Sequence, residues 1–223
     1  MKKINAFSLP TVCLTLMFLC VYWAGCAQTE LPKFTAITSM DGLSSNTVTA
    51  ILKDRYGLIW FATDDGLNKF DGTGFTVYRH SKADTTSLAS NDISTLYEDA
   101  AGRIWIGTVM GSLHLYDRRK DSFARIRTHH TINSICEDGR GELWAGTTQG
   151  LIVIDPRNLV ATTSGKSGSV PARLAEKHIH RIFRDRDNQM WVGTANGLFR
   201  FLHDRFVRVE YPVNGPQKKK VAS

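Results

Sequence analysis

Gly57-Leu58-Ile59-Trp60-Phe61-Ala62-Thr63-Asp64-Asp65-Gly66-Leu67 decides the fold, because the chain writes it four times. The frame returns as Gly102-Arg103-Ile104-Trp105-Ile106-Gly107-Thr108-Val109-Met110-Gly111-Ser112 and as Gly141-Glu142-Leu143-Trp144-Ala145-Gly146-Thr147-Thr148-Gln149-Gly150-Leu151. The fourth copy is Asn188-Gln189-Met190-Trp191-Val192-Gly193-Thr194-Ala195-Asn196-Gly197-Leu198, and all four align without gaps. The tryptophans stand 45, 39 and 47 residues apart. Each has an aspartate six residues before it (Asp54, Asp99, Asp138, Asp185), a threonine three after it, and a glycine six after it (Gly66, Gly111, Gly150, Gly197). Self-similarity at this period is the signature of a blade or solenoid architecture.

Each position has a mechanical reason. Before the aspartate lies a short apolar stretch, Val48–Ile51, Ile93–Leu96, Ile132–Ile135 or Ile179–Ile182, which reads as a strand. Asp-x-x-Gly, or Asp-x-x-Asn at Asp185–Asn188, is hairpin chemistry: the carboxylate bonds the backbone ahead, and Gly or Asn takes the left-handed position. The second strand carries the tryptophan and a small residue (Ala62, Gly107, Gly146, Gly193) where a neighbour must approach closely. Thr-x-x-Gly turns into a third strand, and Phe75–Tyr78, Phe123–Arg127, Leu159–Thr162 and Phe206–Tyr211 are read as the fourth. The expected fold is all-β: four four-stranded antiparallel meanders stacked as β-propeller blades over 34–211. A tryptophan fixed mid-strand in every copy is expected to pack between blades rather than to offer a sugar platform. Phe34 to Thr38 reads as a further outer strand, and an open arc is favoured over a closed ring of four.

Outside the repeats, residues 1–26 read as a signal peptide: Lys2 and Lys3, an apolar run from Ala6 to Trp23, then small residues. Trp23-Ala24-Gly25-Cys26 is close to a lipobox that would lipidate Cys26, and cleavage after Ala27 fits as well. The membrane is therefore expected only through a signal or lipid anchor, in an exported, periplasmic or anchored protein. Residues 212–223 read as a disordered basic tail. Of the net charge of +7, five positive charges lie in Lys2, Lys3 and Lys218 to Lys220, which leaves no basic face for nucleic acid. Cys136, the one cysteine beyond residue 26, is expected as a small buried thiol.

The segments Asp41-Gly42-Leu43-Ser44-Ser45-Asn46, Asp54 to Gly72 and Ser87-Leu88-Ala89-Ser90-Asn91-Asp92-Ile93 closely resemble the two-component regulator propeller repeat. The resemblance implies the periplasmic sensor region of a hybrid histidine kinase from Bacteroides-like bacteria, responding to polysaccharide breakdown products. No kinase box or nucleotide loop is read after residue 211, so the chain looks like a truncated copy of such a sensor. The implied function is non-catalytic ligand sensing without a cofactor, with an oligosaccharide ligand and self-association or a partner protein completing the propeller. The alternatives are a propeller lyase or hydrolase, and a scaffolding lipoprotein.

Chemistry-bearing residues outside the repeat are few. His178 and His180 could share a strand face, while His80, His114, His129, His130 and His203 are expected on surface strands or loops. No cluster has metal-ligand spacing, and Asp64–Asp65 and Asp185–Asp187 are turn residues rather than a catalytic acid pair. The irregular segments Arg79–Ser90 and Pro156–Lys177 are the places for recognition loops, with no binding residue singled out.

Overall fold

The computed structural model describes residues 33–162, 178–202 and 205–210. Two compact units separate, Met1–Ala36 and Ile37–Ser223, and the second holds every strand. The expected signal peptide, Cys26, His203 and the basic tail lie outside the described residues, as does 163–177 of the longer loop.

Among the described residues sixteen strands form four sheets of four, each an antiparallel meander in chain order. The first blade holds β1 (Val48–Lys53), β2 (Ile59–Thr63), β3 (Gly66–Phe70) and β4 (Phe75–Tyr78). The second holds β5 (Ile93–Glu98), β6 (Ile104–Thr108), β7 (Ser112–Asp117) and β8 (Ser122–Arg127). The third holds β9 (Ile132–Glu137), β10 (Leu143–Thr147), β11 (Gly150–Asp155) and β12 (Val160–Thr162). The fourth holds β13 (Ile179–Arg184), β14 (Met190–Thr194), β15 (Gly197–Leu202) and β16 (Arg205–Arg208). The first strands lie side by side, β1 on β5, β5 on β9 and β9 on β13, so the sheets are arranged as propeller blades around an inner edge.

The aspartate builds the first hairpin. Asp54 Oδ1 accepts from the amides of Tyr56 (2.9 Å) and Leu58 (3.0 Å), while Oδ2 accepts from Trp60 Nε1 at 2.8 Å. Asp99 and Asp185 repeat the tryptophan bond at 2.8 and 2.7 Å. Asn188 takes the left-handed position at φ 60°, where Gly102 stands at φ 79° in the second blade. One residue thus closes the turn and satisfies the only polar atom on a ring that must be buried. The third blade breaks the pattern: Asp138 keeps its bonds to the Arg140 and Glu142 amides, but buried Trp144 Nε1 has no partner among the described residues.

The core is three layers between blades. Trp60 packs with Leu67, Ile93, Ile104 and Ile106, Trp105 with Leu113, Ile132, Leu143 and Ala145, and Trp144 with Leu151, Ile179, Met190 and Val192. These three rings therefore lie against the next blade, as expected, whereas Trp191 in the fourth blade is only half-buried. Burying about 200 Å² of tryptophan is worth about 5 kcal/mol as an upper bound.

Three expectations need correction. Residues 34–38 form no strand: β4 and β16 already supply the outer strands of the end blades, and Thr38 instead caps a short 3-10 turn, Ser39–Asp41. The ungapped alignment ends at Thr108. Thr63, Thr147 and Thr194 hydroxyls donate to the carbonyls of Gly66, Gly150 and Gly197, but Thr108 reaches Ser112, so the second blade's loop is one residue longer. Gly111 is therefore not the counterpart of Gly66. Its position is set by close approach instead, since a Cβ there would meet the His130 amide nitrogen at 2.6 Å. His114 is not on the surface: it is fully buried, its Nε2 accepts from the Ala89 amide at 3.0 Å, and burial holds its imidazole neutral at about 4.

Candidate functional site

The blades are clasped to one another by a device the repeat alignment does not advertise. Every innermost strand carries a bulge, at Thr49, Ser94, Asn133 and His180, where the register with the second strand slips by one residue. A bulge re-aims its extra side chain. Here it points across to the following blade: Thr49 Oγ1 donates to the Ile93 carbonyl (2.7 Å), Ser94 Oγ to Ile132 (2.5 Å) and Asn133 Nδ2 to Ile179 (2.8 Å). The acceptor is the first residue of the next blade each time. The signal was present in the sequence as small polar residues interrupting apolar strands, but period-two reading treats such a residue as simply solvent-facing.

The inner strands of the second, third and fourth blades enclose a cavity of about 300 Å³. Tyr97, Ser134, Cys136, Phe183 and the arginines Arg181 and Arg184 contribute to its wall. Ser134 is held rigidly, donating to the Ile182 carbonyl and accepting from the Ile182 amide. Tyr97 oxygen accepts from the Glu137 amide at 3.0 Å, and burial raises its hydroxyl above the usual phenol value. Burial also pushes the Cys136 thiol up to about 11, so it is protonated and weakly nucleophilic at neutral pH. Aromatic faces, guanidinium forks and a fixed hydroxyl suit binding of a polar ligand, and a thiol of this kind supplies no attack chemistry.

The His178 and His180 rings lie tilted by 31° with centroids 4.6 Å apart, and His178 Nε2 meets Asn133 Nδ2 at 3.0 Å. No group of three or more metal-ligating side chains occurs among the described residues. Asp64 and Asp65 sit in the β2–β3 hairpin, where Asp65 pairs with Arg79 at 2.9 Å. Arg79–Ser90 is a tied-down loop: Leu88 is fully buried, and His80 Nδ1 bonds the Leu88 carbonyl at 2.8 Å. A second latch joins the first two blades, with Asp121 accepting from Tyr78 (2.6 Å) and Tyr116 (2.5 Å) and Lys69 lying over the Tyr78 ring.

The family model of the two-component regulator propeller matches residues 42–65, 87–110, 127–149 and 173–196, one match for each tryptophan hairpin. These are two-component regulator propeller repeats. Sequence and structure place regulator propellers nearby as well. A histidine kinase of Formosa agariphila is 44% identical over 63 residues, which is 28% of this chain and 5% of that protein. The extracellular domain of a hybrid two-component system of B. thetaiotaomicron superposes with a TM-score of 0.61 at 25% identity, covering 74% of this chain and 23% of that one. A second such domain from the same organism gives 0.59 at 23% identity, with 78% and 31% covered. Virginiamycin B lyase of Staphylococcus aureus, at 13% identity and a TM-score of 0.60, covers 82% of this chain and 60% of the lyase and shares the fold alone. The chain thus spans under a third of the two-component relatives it matches. No helix among the described residues is long and apolar enough to cross a membrane.

Proposed function

We propose that this chain is the ligand-sensing propeller region of an extracellular two-component sensor, exported through its first 26 residues, and that its ligand is an oligosaccharide released from a polysaccharide. The observation that carries this reading is the coincidence of four regulator propeller repeats with a cavity walled by three inner strands. Its walls supply what a sugar needs: aromatic faces for the C–H side of the ring, and arginines and a hydroxyl for its edges. The role is recognition rather than turnover. A buried protonated thiol and two neighbouring histidines that belong to no carboxylate cluster among the described residues are poor acid/base machinery.

Calorimetric titration with a panel of neutral and acidic oligosaccharides tests the assignment. Binding is expected for at least one, weakened tenfold or more by Arg184→Ala or Tyr97→Ala with the fold retained by circular dichroism. Absence of affinity across the panel would favour a scaffolding role. Turnover of a polysaccharide, lost on replacing His178 or His180, would make the protein a lyase or hydrolase.

A further inference from the structure

By strand register the inter-blade contacts fall into rows, and the first and fourth blades hold the unmatched halves. On the face each blade turns to its successor stand Leu52, Tyr97, Cys136 and Phe183, then Trp60, Trp105, Trp144 and Trp191. The first three tryptophans are 0%, 0% and 1% exposed, whereas Trp191 is half-buried and Phe183 is 58% exposed. On the face each blade turns to its predecessor stand Val48, Ile93, Ile132 and Ile179, each paired with its blade's threonine. Here the three isoleucines are 0% exposed, and Val48 is 38% exposed with Ile51 beside it at 65%.

The seat for that β-branched residue is the small position of the preceding blade. A Cβ built on Gly107 would lie 3.0 Å from Ile132 Cβ, and one built on Gly146 would lie 3.0 Å from Ile179 Cβ. At Gly193 the nearest atom among the described residues is the Arg181 carbonyl oxygen at 3.8 Å, so the seat is built and no described residue fills it. Around it Trp191, Phe183 and Leu198 line an apolar recess of about 410 Å³. The clasp is also prepared: His180 occupies the bulge from which Thr49, Ser94 and Asn133 donate to the next blade's first carbonyl.

We infer that this recess docks the first blade of a second copy of the chain, with Val48 seated over Gly193 and the Val48 carbonyl accepting from His180. The occupant is identified by continuity: the fourth blade's face and the first blade's face are the two halves of an interface the protein already forms three times. The contact is head-to-tail, and two copies that close on each other make eight blades, within the range of ~4 to 8 that propellers use. Two charged side chains stand on this face. Arg181 sits on the innermost strand, where a long stem can carry its head toward the axis. Arg200 lies over the Trp191 ring at 5.8 Å, as Lys69 lies over Trp60 at 5.9 Å in the interface of the first two blades. An exposed apolar face of this kind is otherwise unfavourable in water.

The test uses the full chain with its four native cysteines replaced by alanine, carrying either Val48→Cys or Gly193→Cys. The Cβ separation of 3.0 Å at the interior seats is shorter than the roughly 3.5–4.5 Å of a disulfide, so a bridge there needs the docked blades to part by about 0.5 Å. Mixing the two variants under oxidising conditions is expected to give a band of doubled mass, which neither variant gives alone. Gly193→Ile fills the seat from within and is expected to reduce the native-cysteine protein from two chains to one by light scattering, with its circular dichroism unchanged. A single-chain mass for the parent at every concentration would overturn the inference. So would cross-linking of Val48→Cys with itself, or a chain carrying both cysteines that closes only on itself at monomer mass.

Discussion

Asp54→Asn separates the two jobs of the repeat aspartate. Asp54 is 4% exposed, and its Oδ2 receives Trp60 Nε1 at 2.8 Å and Arg118 Nη2, from the second blade, at 2.6 Å. Asparagine keeps an oxygen for the Tyr56 and Leu58 amides but sets an NH2 against two donors. The Trp60 N–H, on a fully buried ring, is then orphaned at about 1–3 kcal/mol. Arg118 loses its counter-ion but is 27% exposed and regains water, so its share is discounted to about 1 kcal/mol. Asp54→Asn is therefore expected to destabilise by about 3 kcal/mol. Asp138→Asn is the internal control: Trp144 Nε1 has no carboxylate to lose, and both amide bonds to Oδ1 survive. About 1 kcal/mol or less is expected there. Urea unfolding followed by tryptophan fluorescence measures both, with the shift in midpoint interpreted only where the slope is unchanged. Equal losses at the two sites would refute the reasoning, because the turn alone would then account for the aspartate.

Three further expectations concern packing and pH. Gly146→Ala should destabilise by about 1–3 kcal/mol in the same assay, since its Cβ would meet Ile179 Cγ2 at 2.5 Å; a neutral substitution would mean the blades are not pressed together there. His114 is depressed from 6.5 to about 4 by burial, so the unfolded chain binds more protons between those values and stability falls as pH drops through that window. At 1.36 kcal/mol per pH unit the loss is about 3 kcal/mol, and His114→Gln should flatten the stability profile there while leaving it unchanged above pH 7. Below that window a carboxylate takes over. Burial pushes the Asp54 carboxyl up, but bonds from Trp60 and Arg118, the Arg118 charge and the Tyr56 amide outweigh it and hold it below 3.8. Its stabilisation is complete above 3.8 and lost as pH falls through the folded value, so the acid limb of Asp54→Asn should be shallower than that of the parent.

Much of the fold was legible because the repeat is local. Asp-x-x-Gly, a tryptophan six residues on and Thr-x-x-Gly each act within one hairpin, so four copies announce four meanders before any tertiary contact is considered. Local rules also explain the misses. The extra residue between Thr108 and Ser112 leaves hydrophobic spacing almost unchanged, so only the strand register exposes it. His114 looks like a surface residue in an alternating strand, yet Arg79–Ser90 folds over it and supplies the Ala89 amide. A lone strand at 34–38 was a plausible apolar-polar alternation, but each blade draws its four strands from its own repeat and leaves none to be supplied.

The sequence by itself determined the blade: its strands, its turns, and the tryptophan that must be buried somewhere. Where each is buried was decided by tertiary structure, because a blade cannot cover its own face. The bulges at Thr49, Ser94 and Asn133, the cavity behind Tyr97 and Arg184, and the seat over Gly193 all depend on which sheet stands next to which. Hairpin chemistry acts over a few residues, whereas these contacts join positions about forty apart, and only the stacked blades bring them within a bond length of one another.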